Sequence, residues 1–136
     1  MNEIVLIQLQ IKNSDKYVFQ RRDNMAPTSP NLLGFFAGSM ERSEKPKPAA
    51  LRELGEETSL NVSKLTFKHL ISIDLPPDAH DQTGTVRAHL FTTTIPDANF
   101  KVYEGIGSEV YTNQEILDRK DVSPIVHFLI RQLQSI

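Results

Sequence analysis

The sequence predicts an α/β (α+β) domain, a mixed sheet with helices on its faces. Three observations lead there: strand-length segments rich in β-branched and apolar residues recur along the chain, one carboxylate-rich segment with helical spacing interrupts them, and an amphipathic helix follows the last of them. Residues 3–11 read as a first strand and residues 17–22 as a second, ending in Gln20-Arg21-Arg22. Residues 32–37, apolar and aromatic, form a third and run directly into Gly38. After a loop over 39–45, a helix is expected from Pro46 or Lys47 to about Thr58. Pro46 and Pro48 suit its first turn, where backbone N–H groups have no partner inside the helix. Ala49, Ala50, Leu51 and Leu54 supply its inner face.

Residues 65–75 and 85–95 are two further strands around a loop over 76–84. A second Pro-containing loop covers 26–30. Thr112-x-x-Glu115 fits a capping box ahead of a short helix, Asn113–Asp118. Ser123-Pro124 opens the last helix, with Ser as N-cap and Pro in the first position. Ile125, Phe128, Leu129, Leu133 and Ile136 recur there at helical spacing, a core stripe with no functional assignment.

Length and composition bound the function. At 136 residues the chain makes one domain, residues 1–136, long enough for a single core. The formal charge is −2 with both signs interspersed, so no basic track marks a nucleic-acid partner. Without cysteine there is neither a disulfide framework nor a thiol nucleophile. No apolar run reaches the length of a membrane span, and the N-terminus lacks a basic n-region and a small-residue cleavage site. The expectation is a cytoplasmic protein.

The informative segment is residues 38–60. Gly38 is followed by Glu44, then by Arg52-Glu53-Leu54-x-Glu56-Glu57-x-x-Leu60. Glu53, Glu56 and Glu57 lie three and four residues apart, so they share one helix face. Carboxylates so close repel one another, and a cation is a better reason to keep them together than the helix itself. Mg²⁺ prefers oxygen ligands and takes a few carboxylates alongside phosphates and waters.

This segment resembles the Nudix box, G-x5-E-x7-R-E-U-x-E-E-x-G-U with U a bulky apolar residue. It matches at Gly38, Glu44, Arg52, Glu53, Leu54, Glu56, Glu57 and Leu60, and departs at Ser59, which replaces the final Gly. The resemblance implies a Nudix-like three-layer α/β/α sandwich. It implies metal-dependent hydrolysis of a diphosphate linkage in a nucleoside diphosphate derivative, with Mg²⁺ or Mn²⁺. Glu53, Glu56 and Glu57 would supply the metal carboxylates, joined by a backbone carbonyl of Ala37 or Gly38. Arg52 would orient the carboxylates through ion pairs that can include Glu44, and Leu54 and Leu60 would be structural. The general base would be Glu53, with Glu104 in Tyr-Glu-Gly-Ile-Gly as the outside candidate.

Arg21 or Arg22 would touch phosphate. Side chains alternate along a strand, so at most one of them faces the site. His80 and His89 have no metal-type spacing, and Phe35 and Phe36 read as core. Phe36 and Ser39 stand where the family often has Pro and His around Ala-Gly. Ser59 stands where the family's Gly ends the helix at positive φ, at an expected cost of about 1–2 kcal/mol.

Within the class, a small chain without an obvious insertion points towards a nucleoside triphosphate pyrophosphohydrolase of the MutT type. ADP-ribose, nucleotide sugars and dinucleoside polyphosphates stay open, as does a homodimer. A nucleotide-binding Nudix-like sensor with little catalysis is the alternative from another class, and the intact glutamates argue against it. An isopentenyl diphosphate isomerase-like enzyme would need a cysteine, and an RNA decapping enzyme a basic tract. Residues 23–31 and 76–84 are the candidate recognition loops.

Overall fold

A computed structural model describes residues 2–136 of the chain. The elements in chain order are β1 (Asn2–Ile11), β2 (Lys16–Arg21), β3 (Leu33–Gly34), β4 (Phe36–Ser39), α1 (Pro46–Glu57), β5 (Lys68–Asp74), β6 (Val86–Ile95), β7 (Gly107–Thr112), α2 (Asn113–Asp118) and α3 (Pro124–Gln134). The strands form one seven-stranded mixed sheet in the order β3-β2-β1-β6-β5, with β4 also beside β1 and β7 beside β2. β1 and β6 run parallel in register from Asn2 beside Val86 to Ile11 beside Ile95. The remaining pairs are antiparallel.

Alternation along β1 builds the layers. Ile4 and Leu6 point to one face, where Val126, Leu129 and Ile130 of α3 and Ile116 of α2 cover them. Val5, Ile7 and Leu9 point to the other face, onto Ala49, Ala50 and Leu54 of α1. Covered on both sides, β1 reads as a continuous buried run from Ile4 to Leu9. The result is the α/β/α sandwich that the resemblance to the Nudix box implies. Leu54 is fully buried, and its truncation to Ala would cost about 2–5 kcal/mol.

One end of the sheet is a fork. β1 and β2 pair only at Leu9–Val18 and Gln10–Tyr17, then diverge. The segment from Leu33 to Ser39 fills the gap. Leu33 and Gly34 pair with Arg21 and Gln20 of β2, whereas Phe36 to Ser39 pair with Ile7 to Ile4 of β1. The single strand expected over 32–37 is therefore two, broken at Phe35. Phe35 is buried and stacks on Phe19 at 5.9 Å between ring centroids, while Phe36 is buried on the α1 face.

Other expectations shift in detail. The strand expected over 65–75 begins at Lys68, because a 3-10 turn at Val62–Lys64 precedes it and the Leu65 N–H closes that turn. The loop over 76–84 contains a 3-10 turn, Pro77–Ala79. β7 was not expected: Gly-Ser-Glu-Val-Tyr-Thr has no buried residue, and its strand form comes from pairing with β2 from Lys16 to Arg21. The capping box forms as expected, Thr112 accepting the Glu115 N–H and Glu115 the Thr112 N–H. Ser123 takes the N-cap position of α3 without capping it, and its hydroxyl pairs with that of Ser29 at 3.1 Å. Ile136 falls outside the core stripe and is exposed. No helix among the described residues is long and apolar enough to cross a membrane.

Candidate active site

α1 carries its carboxylates on a gradient of burial. Ala50, Leu54 and Glu57 follow one another on the inner stripe, so Glu57 is driven under the helix and is only 2% exposed. Glu56, one residue earlier, stands at the rim with a side chain 60% exposed, and the Glu53 side chain lies between them at 15%. The helix ends where the Thr58 N–H and hydroxyl both bond to the Leu54 carbonyl.

Gly38 faces Glu53 across the fork. A Cβ added to Gly38 would lie 2.0 Å from the Glu53 carboxyl carbon, so any side chain at 38 would displace the Glu53 carboxylate. Arg52 holds the surrounding carboxylates in a fork. Its Nε and Nη2 donate to Glu44 at 2.8 and 2.9 Å, its Nη1 to Glu53 at 2.9 Å and, at 3.4 Å, to Glu56. A further Nη2 bond reaches the Ser39 carbonyl at 3.1 Å. Glu44 also accepts the Glu41 N–H at 2.9 Å, and the Arg52 guanidinium holds the Glu44 carboxyl down at about 2.

Glu57 is the anomaly. Neither carboxylate oxygen has a hydrogen-bond partner although both are fully buried. Burial, then the charges of Glu104 and Glu53, push its carboxyl up to about 8. The Ala37 backbone and Arg22 oppose that rise, Ala37 without closing a hydrogen bond to either oxygen. Burial likewise raises Glu53, against the pull of Arg52. A buried acid with no donor is costly unless something cationic reaches it.

These residues fit a hard divalent cation: an all-oxygen donor set, an orphaned buried carboxylate, and a glycine leaving room beside a second carboxylate. Among the described residues, no three such side chains already converge on one point, because Arg52 draws Glu53 and Glu56 towards itself.

Arg21, the last residue of β2, and Arg22, just beyond it, part company. Arg21 is consumed: it makes a bidentate pair with Glu109 at 2.7 and 3.0 Å, bonds Asp121 at 2.9 Å and reaches the Asn31 carbonyl at 3.1 Å. Arg22 points into the cleft. Thr28 holds it, through Nε to the carbonyl at 2.7 Å and Nη2 to the hydroxyl at 3.1 Å. The cleft has two lobes. One of about 280 Å³ combines apolar side chains such as Leu6, Phe35 and Val126 with the hydroxyls and amide of Thr28, Ser29, Ser39, Gln82 and Ser123. The other, of about 570 Å³, holds Gln20, Met25, Tyr103 and Glu104. Arg22, Pro27 and Ala37 border both lobes, and Arg22 is the one cation in either lining. The loops over 23–31 and 76–84 meet where the Ser29 N–H bonds Asp81 at 3.0 Å.

The chain segment bearing Glu104 returns to the end of α1, and the charge of Glu104 is felt at both Glu53 and Glu57. Ser59 is not at positive φ. Among the described residues, Asn13, Ser29, Asn31 and Ser43 are the non-glycine residues there, so the strain expected at Ser59 is absent. His89 lies in the sheet between Ser72 and Glu3, and His80 in the loop accepts the Gln82 N–H. Residue types alone did not reveal Gln20, Thr28, Met25 or Tyr103. They are ordinary strand and loop residues until the fork brings them to one cleft.

The layered sheet and the acidic end of α1 define a Nudix-type domain, and the NUDIX domain model matches residues 4–126. The chain belongs to that family. It is 37% identical over 83 residues to an ADP-ribose pyrophosphatase of Haemophilus influenzae, a stretch covering 60% of this chain and 35% of that relative. The chain thus matches little more than a third of the relative's length. Among solved structures, the MutT protein from Methanosarcina mazei Go1 aligns with a TM-score of 0.81 at 17% identity, over 98% of this chain and 93% of that one. The NUDIX domain of Shewanella oneidensis NrtR complexed with ADP ribose aligns with a TM-score of 0.73 at 16% identity, over 98% and 86%. At these identities the structural likeness is one of fold.

Proposed function

We propose that this chain hydrolyses the diphosphate linkage of a nucleoside diphosphate derivative with the help of Mg²⁺ or Mn²⁺. The observation that carries the proposal is Glu57: a buried carboxylate without a donor, on the same helix as Glu53, whose carboxyl lies against Gly38, and Glu56 at the rim. A divalent cation bound there would neutralise phosphate charge and acidify a water. Glu53, Glu56 and Glu57 would hold it, with a carbonyl of Ala37 or Gly38. Arg52 keeps Glu53 oriented from the side away from the substrate. Arg22, between the two lobes, binds a phosphate of the substrate. Glu53 or Glu104 accepts the proton of the attacking water.

Within this class, substrates with an organic group on both sides of the diphosphate are favoured over nucleoside triphosphates. Arg22 is the one cation lining the cleft, a poor match for a terminal triphosphate. The identity to an ADP-ribose pyrophosphatase supports the same preference. The test is phosphate release with Mg²⁺ or Mn²⁺, coupled to a phosphatase for ADP-ribose and nucleotide sugars and to a pyrophosphatase for nucleoside triphosphates. Metal-dependent turnover that disappears in Glu53→Gln and Glu57→Gln is the expected result. Folded protein that binds these nucleotides and turns over none of them would mark a sensor instead.

A further inference from the structure

The departure of Ser59 from the family motif has a structural counterpart. Thr58 bridges Val102 in antiparallel fashion, and Tyr103 donates its N–H to the Glu57 carbonyl at 2.7 Å. Ser59 completes this zipper in both directions. Its N–H bonds the Lys101 carbonyl at 3.0 Å, and its hydroxyl accepts the Lys101 N–H at 2.8 Å. A glycine at 59 could offer only the first bond. The end of α1 therefore grips the segment that leads to Glu104.

The opposite side is gripped as well. Gln20, 2% exposed, donates Nε2 to the Glu104 carbonyl at 3.1 Å. The Ile106 N–H bonds the Arg21 carbonyl at 3.0 Å. Between them Gly105 takes φ +76°, and a Cβ there would lie 2.3 Å from the Arg21 oxygen. The backbone of Glu104 is thus fixed from α1 and from β2, while its carboxylate has no side-chain partner among the described hydrogen bonds.

We infer that Gln20 and Ser59 are positioning residues that hold Glu104 at the Glu57 end of α1 for the reaction proposed above, on which this inference rests. Amide hydrogen exchange reads the grip directly. Ser59→Gly accelerates exchange at Lys101, and Ser59→Thr, which restores the acceptor, returns it towards the wild-type rate. In kinetics, Ser59→Gly and Gln20→Met each lower kcat about fivefold with KM nearly unchanged, the size of one lost hydrogen bond. In a Glu104→Gln background neither has any further effect on kcat.

Ser59 is exposed, so Ser59→Gly keeps the test available should Gln20→Met fail to fold. Wild-type kcat in Ser59→Gly, or an undiminished loss in the Glu104→Gln background, overturns the inference. Full activity in Glu104→Gln with an inactive Glu57→Gln overturns it while the hydrolase reading stands. An active Glu57→Gln overturns the hydrolase reading itself.

Discussion

Two arginine-centred clusters in this chain use the same residue types to opposite ends. Around Arg21 the charges close: Arg21 and Arg119 face Glu109 and Asp121, and the Arg119 guanidinium also lies 4.5 Å over the Tyr111 ring. Around Arg52 they do not close. One guanidinium faces Glu41, Glu44, Glu53 and Glu56, with Glu57 orphaned behind them. The first cluster pins β2, β7 and the approach to α3 together. The second leaves more carboxylates than one guanidinium can pair, close to Ala37 and Gly38 on the cleft wall. A salt-bridge network that balances serves as architecture, whereas one guanidinium among four carboxylates, with an unpartnered buried acid behind them, would be completed by a cation.

Glu57→Gln breaks the surplus and should have the largest effect. Turnover falls by about 1,000-fold or more, as expected when a group needed in the transition state is removed. Stability without metal moves the other way. Glu57 has its folded value raised from 4.5 to about 8, so its cost is absent below pH 4.5, grows as pH rises through that window and is complete above 8. Holding it neutral at pH 7 costs about 3 kcal/mol at about 1.4 kcal/mol per pH unit. Metal-free wild type should therefore lose stability from pH 5 to pH 8, with Mg²⁺ or Mn²⁺ restoring it and Glu57→Gln flattening the curve. Thermal unfolding across that range checks all three; a metal-free Tm that rises with pH in this window would contradict the orphaned acid.

Gly38→Ala comes next, because it attacks the surplus through space alone. The new Cβ would occupy the Glu53 carboxyl position, and the flexible Glu53 side chain yields before the sheet does. Activity should fall on the order of 100-fold, the size associated with misplacing a catalytic group by about 1 Å. Unfolding temperature should barely change. A large loss of stability would mean that the strand, not the glutamate, has moved.

Much of this contrast was legible in the sequence, and the illegible part has a physical cause. Helical spacing places Glu53, Glu56 and Glu57 together, and the capping box and Ser-Pro start locate α2 and α3 because those signals are local. That Glu57 is buried while Glu56 is exposed follows from where α1 meets the sheet, a tertiary fact. The choice between Arg21 and Arg22 needed β7, a strand with no buried residue to announce it, since Glu109 on β7 captures Arg21. Ser59 looked like strain because the family glycine suggested a left-handed residue. The structure instead spends Ser59 on Lys101.

The closed cluster should fail differently. Arg21→Met leaves Glu109 and Asp121 without their shared partner and should cost about 2 kcal/mol, the scale of lost bonds to a charged group. Arg21 and Arg119 hold Glu109 and Asp121 below the usual carboxylate range. Their contribution is present above the ordinary carboxylate values near 4 and disappears as pH falls through the lowered ones. Wild type should lose this stability in acid, and Arg21→Met should lose less because it has less to lose. KM and the metal requirement should be those of wild type at a temperature where both are folded.

Arg52→Lys is the smallest change and the sharpest comparison, because it keeps the charge and removes the fork. Lysine cannot make the bidentate contact to Glu44 while also reaching Glu53 and the Ser39 carbonyl. If Arg52 acts by orientation, kcat should fall about tenfold, consistent with losing one to two charge-assisted bonds. Stability should hold, since the charge is kept and Glu56 already stands largely in water. Mn²⁺ affinity should tighten or stay level, because a looser cation competes less for Glu53. The same substitution at Arg21 should instead lower Tm and leave kcat alone. Were Arg52→Lys to lower Tm and spare kcat in the same way, the two clusters would be one kind of thing after all, and the surplus around Glu57 would need another explanation.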